Sequence, residues 1–377
     1  MVFDPATLNR AARVLRAVSP ELPADAALRS ELAAQRALSG AAKQAVARAV
    51  FAYFRWRSWL DARESEQRQL DAALTLQRRF DTRPESFKPE TLAARAVPAW
   101  LHEEMDVPDA TLRLWQQEPP LWLRARPGTT AALARELGHC RAPADLPTFA
   151  QPWSALRYEG VTDLYRTEAF QRGAFEIQDL ASQWVGHVCA ARAGETWWDA
   201  CAGEGGKTLH LADLMENKGL LWASDRSLRR LETLRQRCAR AGRFNVRTAR
   251  WEGGERLPTR TRFDGVLVDA PCSGVGTWQR NPHARWTTQP EDVAELAQVQ
   301  ARLLRHAATA VKPGGRLVYS VCTLTRRETV GVADDFTATH PDFVPEVVMP
   351  EKPAGLVTLW PHEWRSNGMA VAAWRRR

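Results

Sequence analysis

The chain has 377 residues, 45% of them hydrophobic and 25% charged, and its 52 Lys and Arg exceed its 44 Asp and Glu for a formal net charge of +8. That balance excludes a disordered, collagen-like or rod-like coiled-coil chain and leaves room for two or three domains with buried cores. No stretch reaches the roughly 18 uninterrupted apolar residues of a membrane span, and the start Met1-Val2-Phe3-Asp4-Pro5 lacks the apolar segment of a secretory signal.

The basic surplus is almost all arginine, which forks onto phosphate bidentately and favours a polyanionic partner. The six cysteines, Cys140, Cys189, Cys201, Cys238, Cys272 and Cys322, include no close pair and no neighbouring His cluster. A disulfide framework and a metal site are therefore not expected, and a reducing cytoplasm is the expected location.

From residue 6 to about 80 the chain is poor in glycine, and Val46, Val50 and Phe54 recur at helical spacing, which predicts a helical domain. Its densest patch, Phe51 to Trp59, interleaves aromatics with arginines as an RNA grip would. Because those aromatics fall on more than one helical face, core packing is the better reading. Pro84, Pro89, Pro98 and Pro119-Pro120 then mark a linker and a boundary near 118. An apolar run at Leu121–Ala125 and a helical stretch from Thr130 to Gly138 suggest a small α+β module over 119–172.

Beyond residue 190 strands and helices alternate. Strands are predicted at 196–200, 219–225, 245–251, 263–270, 315–321 and 368–374, and helices at 207–216, 227–241 and 291–310. Such alternation implies an α/β, doubly wound parallel sheet, whose ligands sit outside the carboxyl ends of the strands.

Four of those ends carry unusual residues. The first turn reads Asp199-Ala200-Cys201-Ala202-Gly203-Glu204-Gly205-Gly206-Lys207-Thr208. It fails the Walker A spacing, because Cys201 stands where the first glycine is needed, and it fails the dinucleotide fingerprint at Thr208. Its glycines and the helix start suit a smaller anion, such as an amino-acid carboxylate. The second strand ends at Asp225, 19 residues after Gly206, where an acid can accept hydrogen bonds from a ribose diol or cap the next helix. Carboxylate plus ribose without a pyrophosphate clamp points to S-adenosylmethionine.

The fourth strand runs into Asp269-Ala270-Pro271-Cys272-Ser273-Gly274, and the fifth ends Tyr319-Ser320-Val321-Cys322-Thr323. Two thiols 50 positions apart would thus meet at one cleft, whereas Cys140, Cys189 and Cys238 read as ordinary buried residues. A pyrimidine C5 needs thiolate addition at C6 before it can attack a methyl donor. Asp269 could engage the base near N3 and N4 and support that electron flow, and a base must then take the C5 proton.

With Phe175-Glu176-Ile177-Gln178-Asp179-Leu180-Ala181-Ser182 leading into them, these segments resemble the Sun (Fmu) family of bacterial RNA cytosine-5 methyltransferases, related to the NOP and NSUN proteins. The resemblance implies a Rossmann-like class I methyltransferase domain at 173–377, preceded by the α+β module at 119–172 and an all-helical, NusB-like RNA-binding domain at 1–118. It implies that Cys322 is the nucleophile, that Cys272 assists release of the covalent adduct, that Asp269 holds the cytosine and that Lys207 reaches into the same site. S-adenosylmethionine would be bound by Cys201, Ala202, Gly203, Glu204, Gly205, Gly206 and Lys207, with Asp225 and Asp269. The module would guide RNA.

This sequence departs from the family pattern at Glu204, where Pro is common, at Leu180, at Gln279-Arg280 and at Thr329, and after the third strand it offers only Glu252 in place of an Asp. A DNA cytosine-5 enzyme would place its nucleophile in the Pro-Cys turn and need no Cys322. The expected activity is methylation of cytosine C5 in RNA, with 16S ribosomal RNA as the expected substrate and a monomeric enzyme without metal. A transfer-RNA or other RNA cytosine-5 enzyme, and a non-catalytic ribosome assembly factor that keeps the cofactor fold, are the alternatives.

Overall fold

A computed structural model describes residues 4–35, 38–150 and 152–377. The reading of Met1-Val2-Phe3, and positions Arg36 and Ala37 of the expected helical stretch, lie outside the described residues. The chain forms two compact units. One runs up to Pro119 and takes in Val161–Asp163 and Thr277–Pro290; the other comprises Pro120–Gly160, Leu164–Gly276 and Glu291–Arg377.

The first unit is helical, with long helices at Pro5–Ala17, Ala24–Ala34, Gly40–Trp56 and Glu66–Thr82. Ser39 caps the third of these by accepting a hydrogen bond from the Ala42 amide at 3.2 Å. The aromatic and arginine patch supplies core: Phe54, Arg55 and Trp56 are buried. Trp56 packs with ring centroids 5.5 Å from Phe80 and 5.0 Å from Phe87. The Arg55 guanidinium and the Trp56 indole both donate to Gln77 Oε1, at 3.3 and 3.1 Å.

The proline-rich stretch, expected as a linker, is folded. Pro89 opens a helix to Arg95, and a further helix spans Asp109–Trp115. Proline at a helix start loses nothing, because its missing N–H is one that the first turn leaves unpaired. Arg285 is buried in this unit and donates to the carbonyls of Ala96 and Trp278, both at 3.2 Å, and to that of Trp115.

The second unit holds two sheets. Strands β1 (Leu121–Ala125), β2 (Cys140–Arg141), β3 (Ala155–Tyr158) and β4 (Phe175–Ile177) form an antiparallel sheet in the order β2-β3-β1-β4. The larger sheet contains β5 (Thr196–Asp199), β6 (Leu220–Asp225), β7 (Val246–Arg250), β8 (Phe263–Asp269), β9 (Val311–Val321), β10 (Phe343–Pro345), β11 (Val357–Leu359) and β12 (Met369–Arg376). Its order is β10-β12-β9-β8-β5-β6-β7, with β11 paired to β12.

Strands β5 to β9 pair in parallel, as the strand–helix alternation implies. The carboxyl-terminal strands do not: β12 runs antiparallel to β9, and β10 and β11 run antiparallel to β12. Periodicity reports that a strand exists but not its direction. The two short strands were too brief to register at all. Helices Leu180–Cys189 and Pro290–Ala308 pack on the sheet, whose core strands are buried on both faces, including Val266, Leu267, Val268, Val318 and Tyr319.

The small and large sheets are tied by a buried ionic group. Arg124 of β1 donates to Gln178 Oε1 at 2.6 Å and to Asp213, which also accepts from Arg243. Asp213→Ala strands the Arg124 charge away from water and is expected to lower the stability of this unit by about 3–5 kcal/mol. The shift of its urea unfolding midpoint measures the loss.

Candidate active site

In the large sheet the chain order reverses at β5, which lies between β6 and β8. A doubly wound sheet opens a crevice at the carboxyl ends of the strands at that reversal. Here the crevice is a cleft of about 490 Å³. Of the sequence-predicted residues it is lined by Cys201, Ala202, Gly203, Glu204, Gly206, Lys207, Asp225, Asp269, Cys272 and Cys322. Gly205 is the exception. It stands behind the lining as the N-cap of helix Gly206–Leu214, at φ 89°, and a Cβ there would come 2.7 Å from Leu234 Cγ. A glycine is thus required both by the left-handed turn and by the packing.

The glycine turn is held from two sides. The Gly203 amide donates to Asp225 Oδ2 at 3.1 Å, and the Ser227 amide donates to Asp225 Oδ1 at 2.8 Å, so Asp225 anchors the turn while bordering the cleft. Asp199 is fully buried, with Oδ2 accepting from Thr208 Oγ1 at 2.7 Å and Oδ1 without a protein partner. Burial pushes its carboxyl up to about 7; the Thr208 hydrogen bond works against that, and the nearby Asp269 adds to it.

Lys207 Nζ donates to Asp269 Oδ2 at 2.8 Å, and Ser320 Oγ donates to Asp269 Oδ1 at 2.8 Å. Burial works to lower the Lys207 ammonium, but the charge and hydrogen bond of Asp269, with Cys322 and Asp199, carry it above its usual value. Beside this pair the Cys272 and Cys322 sulfurs lie 3.4 Å apart. The hydrogen bond between them and then burial hold the Cys272 thiol well above its ordinary value. Either sulfur can be the donor in that contact.

The wall also takes in Ser182, the last residue of the quoted Phe175–Ser182 segment, and residues that the sequence did not single out: Arg226, Arg230, Trp251, Gly253, Val299, Arg302 and Leu303. Val299 and Leu303 sit four apart on one helix, a spacing that core residues share, so periodicity carried no signal for them. Glu252 borders the cleft and pairs with Arg250 at 2.7 Å. Of the cysteines read as ordinary buried residues, Cys189 and Cys238 are buried, but Cys140 is only partly so. Among the described residues no group of three His, Cys, Asp or Glu side chains is arranged to hold a metal ion, and no helix is long and apolar enough to cross a membrane.

Residues 187–375 match the family model described as 16S rRNA methyltransferase RsmB/F. The chain belongs to that family. It is 36% identical over 222 residues to the probable ribosomal RNA small subunit methyltransferase B of Bacillus subtilis, which covers 56% of this chain and 50% of that protein. It is 33% identical over 299 residues to the protein of the same description from Synechocystis, covering 74% of this chain and 66% of that one. The chain thus spans between half and two thirds of the length of these relatives. Among solved structures, NSun6 from Pyrococcus horikoshii with SFG, an S-adenosylmethionine analogue, aligns with a TM-score of 0.52 and 26% identity over 60% of each chain.

The raised Asp199 carboxyl has a consequence for stability. Its protonated form favours the folded state at low pH, and that contribution is lost as pH rises from 3.8 through about 7. Asp199→Asn carries no charge at any pH. Its melting temperature is expected to gain on that of the natural protein as pH rises across this window, which paired thermal melts at several pH values measure.

Proposed function

We propose that this chain transfers a methyl group from S-adenosylmethionine to C5 of a cytosine in RNA, with small-subunit ribosomal RNA as the substrate. The observation that carries the reading is the 3.4 Å separation of the Cys272 and Cys322 sulfurs on a cleft that also holds the Lys207–Asp269 pair. A lone thiol serves many chemistries. Two neighbouring thiols next to an acid at a strand-end crevice suit a reaction in which one sulfur forms a covalent bond and the other helps to break it.

The cleft fits the cofactor. The turn from Cys201 to Lys207 presents the start of a helix, suited to a carboxylate. Asp225 offers acceptor oxygens for a ribose diol, and the unpartnered Asp199 Oδ1 is a buried acceptor suited to an ammonium group. Trp251, Val299 and Leu303 supply an apolar wall for an aromatic base. When bound, S-adenosylmethionine supplies an electrophilic methyl group on a sulfonium.

On this reading the protein's own groups act as follows. The Cys322 thiolate forms a bond to C6 of the cytosine, and the C5–C6 electron pair shifts to make C5 nucleophilic. Asp269, held by Lys207 and Ser320, faces the N3 and N4 edge and steadies the ring as charge moves onto it. After C5 is alkylated it still carries its proton. Loss of that proton to a base returns the electron pair to the C5–C6 bond and expels the Cys322 sulfur, while Cys272 beside it assists the departure. The target nucleotide must leave its stack to enter such a cleft. The arginine-lined hollow of about 750 Å³ from Arg250 to Arg262 lies next to the cleft, with Arg250 donating to the Arg226 carbonyl, and offers a landing site for phosphates. The helical segment up to 118 and the module at 119–172 serve RNA binding on the same reading.

Cys322→Ala is expected to abolish methyl transfer to RNA while S-adenosylmethionine binding persists; normal turnover in that variant overturns the nucleophile assignment. Methyl incorporation and bisulfite mapping of total RNA provide the readout. Cys272→Ala is expected to accumulate protein covalently linked to RNA, visible as a slow band on a denaturing gel. Turnover without any adduct counts against the release role.

A further inference from the structure

Behind the two thiols lies a polar knot that the reaction as described does not use. Glu328 is completely buried, with 0% exposure. Its Oε1 accepts from the Ser273 amide at 2.8 Å and from Gln300 Nε2 at 2.9 Å. Its Oε2 accepts from the hydroxyls of Thr323 at 3.0 Å, Thr325 at 2.8 Å and Ser273. Tyr319 closes the group from below, with its hydroxyl on the Glu328 carbonyl at 2.7 Å.

Two of these donors are adjacent in sequence to the thiols. Ser273 follows Cys272, and Thr323 follows Cys322. Their hydroxyls also meet each other at 2.8 Å. One carboxylate therefore grips the chain immediately after each cysteine, on two loops 50 residues apart. Burying such a group is costly unless its lone pairs find donors, and here five donor groups surround the roughly four acceptor sites of the carboxylate. A smaller or uncharged side chain would leave several of those donors unmatched, and both loops would be freed to relax.

We propose that Glu328 is a positioning residue: by binding the chain after each thiol it sets the separation of the Cys272 and Cys322 sulfurs. It touches neither substrate nor cofactor in this role. The effect on turnover rests on the methyltransferase reading above, but the effect on sulfur spacing does not, and the two can be measured apart.

The test uses the full chain and compares Glu328→Gln and Glu328→Asp with the natural protein. The first assay is methyl transfer to RNA. The second is closure of a Cys272–Cys322 disulfide by diamide, followed by peptide mapping; the two thiols lose two hydrogens to form the S–S bond, and diamide is reduced to its hydrazine. Glu328→Gln is expected to lower kcat roughly 100-fold with KM unchanged, and to slow disulfide closure roughly 10-fold, as a small misplacement of reacting groups does. Glu328→Asp, which keeps the charge but shortens the reach, is expected to fall between.

A folded Glu328→Gln protein that keeps either its kcat or its closure rate overturns the proposal. If the natural protein methylates no RNA, the methyltransferase reading fails, and the closure rate alone decides the role of Glu328. If Glu328→Gln does not fold, Thr325→Val removes one donor at a residue two positions beyond Cys322. Slower closure and lower kcat in that variant support the clamp, and natural values for either overturn it.

Discussion

The parallel pairing of β8 with β9 is the constraint on which the site depends. Asp269 stands opposite Ser320 in that pairing. Once this register is set, the turns after both strands leave the sheet side by side, carrying Cys272 three residues beyond one strand partner and Cys322 two beyond the other. The two turns are joined again by the Gly276 amide, which donates to the Cys322 carbonyl at 3.1 Å. A slip of one residue would send Asp269 and Ser320 to opposite faces, since side chains alternate along a strand, and would part the thiols. The buried Val266, Leu267, Val268, Val318 and Tyr319 on these two strands guard against such a slip, because it would exchange the packing on both sheet faces.

Around that register the charges are uneven. Asp199, Asp225 and Asp269 border the cleft, and Lys207 from the facing turn pairs with only one of them. Burial leaves Asp199 reluctant to ionise, and its spare oxygen meets no protein donor. A cationic ligand group relieves both conditions at once, and on the proposed reading that group is the ammonium of S-adenosylmethionine.

The segment after the Cys272 turn shows how far a local reading reaches. Gln279 and Arg280 look like a continuation of the motif, yet Thr277–Pro290 packs in the helical unit, where Arg285 satisfies three backbone carbonyls. A buried arginine is stable only where several acceptors converge. Trp278 is seven residues away, but the other two acceptors, Ala96 and Trp115, lie 189 and 170 positions from Arg285, so no window of sequence around it contains them. The stretch from Pro84 to Pro120 misleads for a related reason: proline interrupts periodicity whether it ends structure or opens a helix.

What the sequence determined by itself is local chemistry. Strand–turn–helix alternation, the glycines of the first turn and the residue types at four strand ends are short-range signals, and from them come the parallel sheet and a cleft lined by Cys201, Gly203, Lys207, Asp225, Asp269, Cys272 and Cys322. Only the tertiary structure decided which distant groups share a bond: the 3.4 Å meeting of the sulfurs, the Lys207–Asp269 pair, the antiparallel return of β12 and the convergence of five donors on Glu328. The sequence assigned Glu328 no role, since nothing within a few residues of it reveals burial. Contacts between residues tens of positions apart depend on strand order and register, and those follow from packing the whole core rather than from any one segment of it.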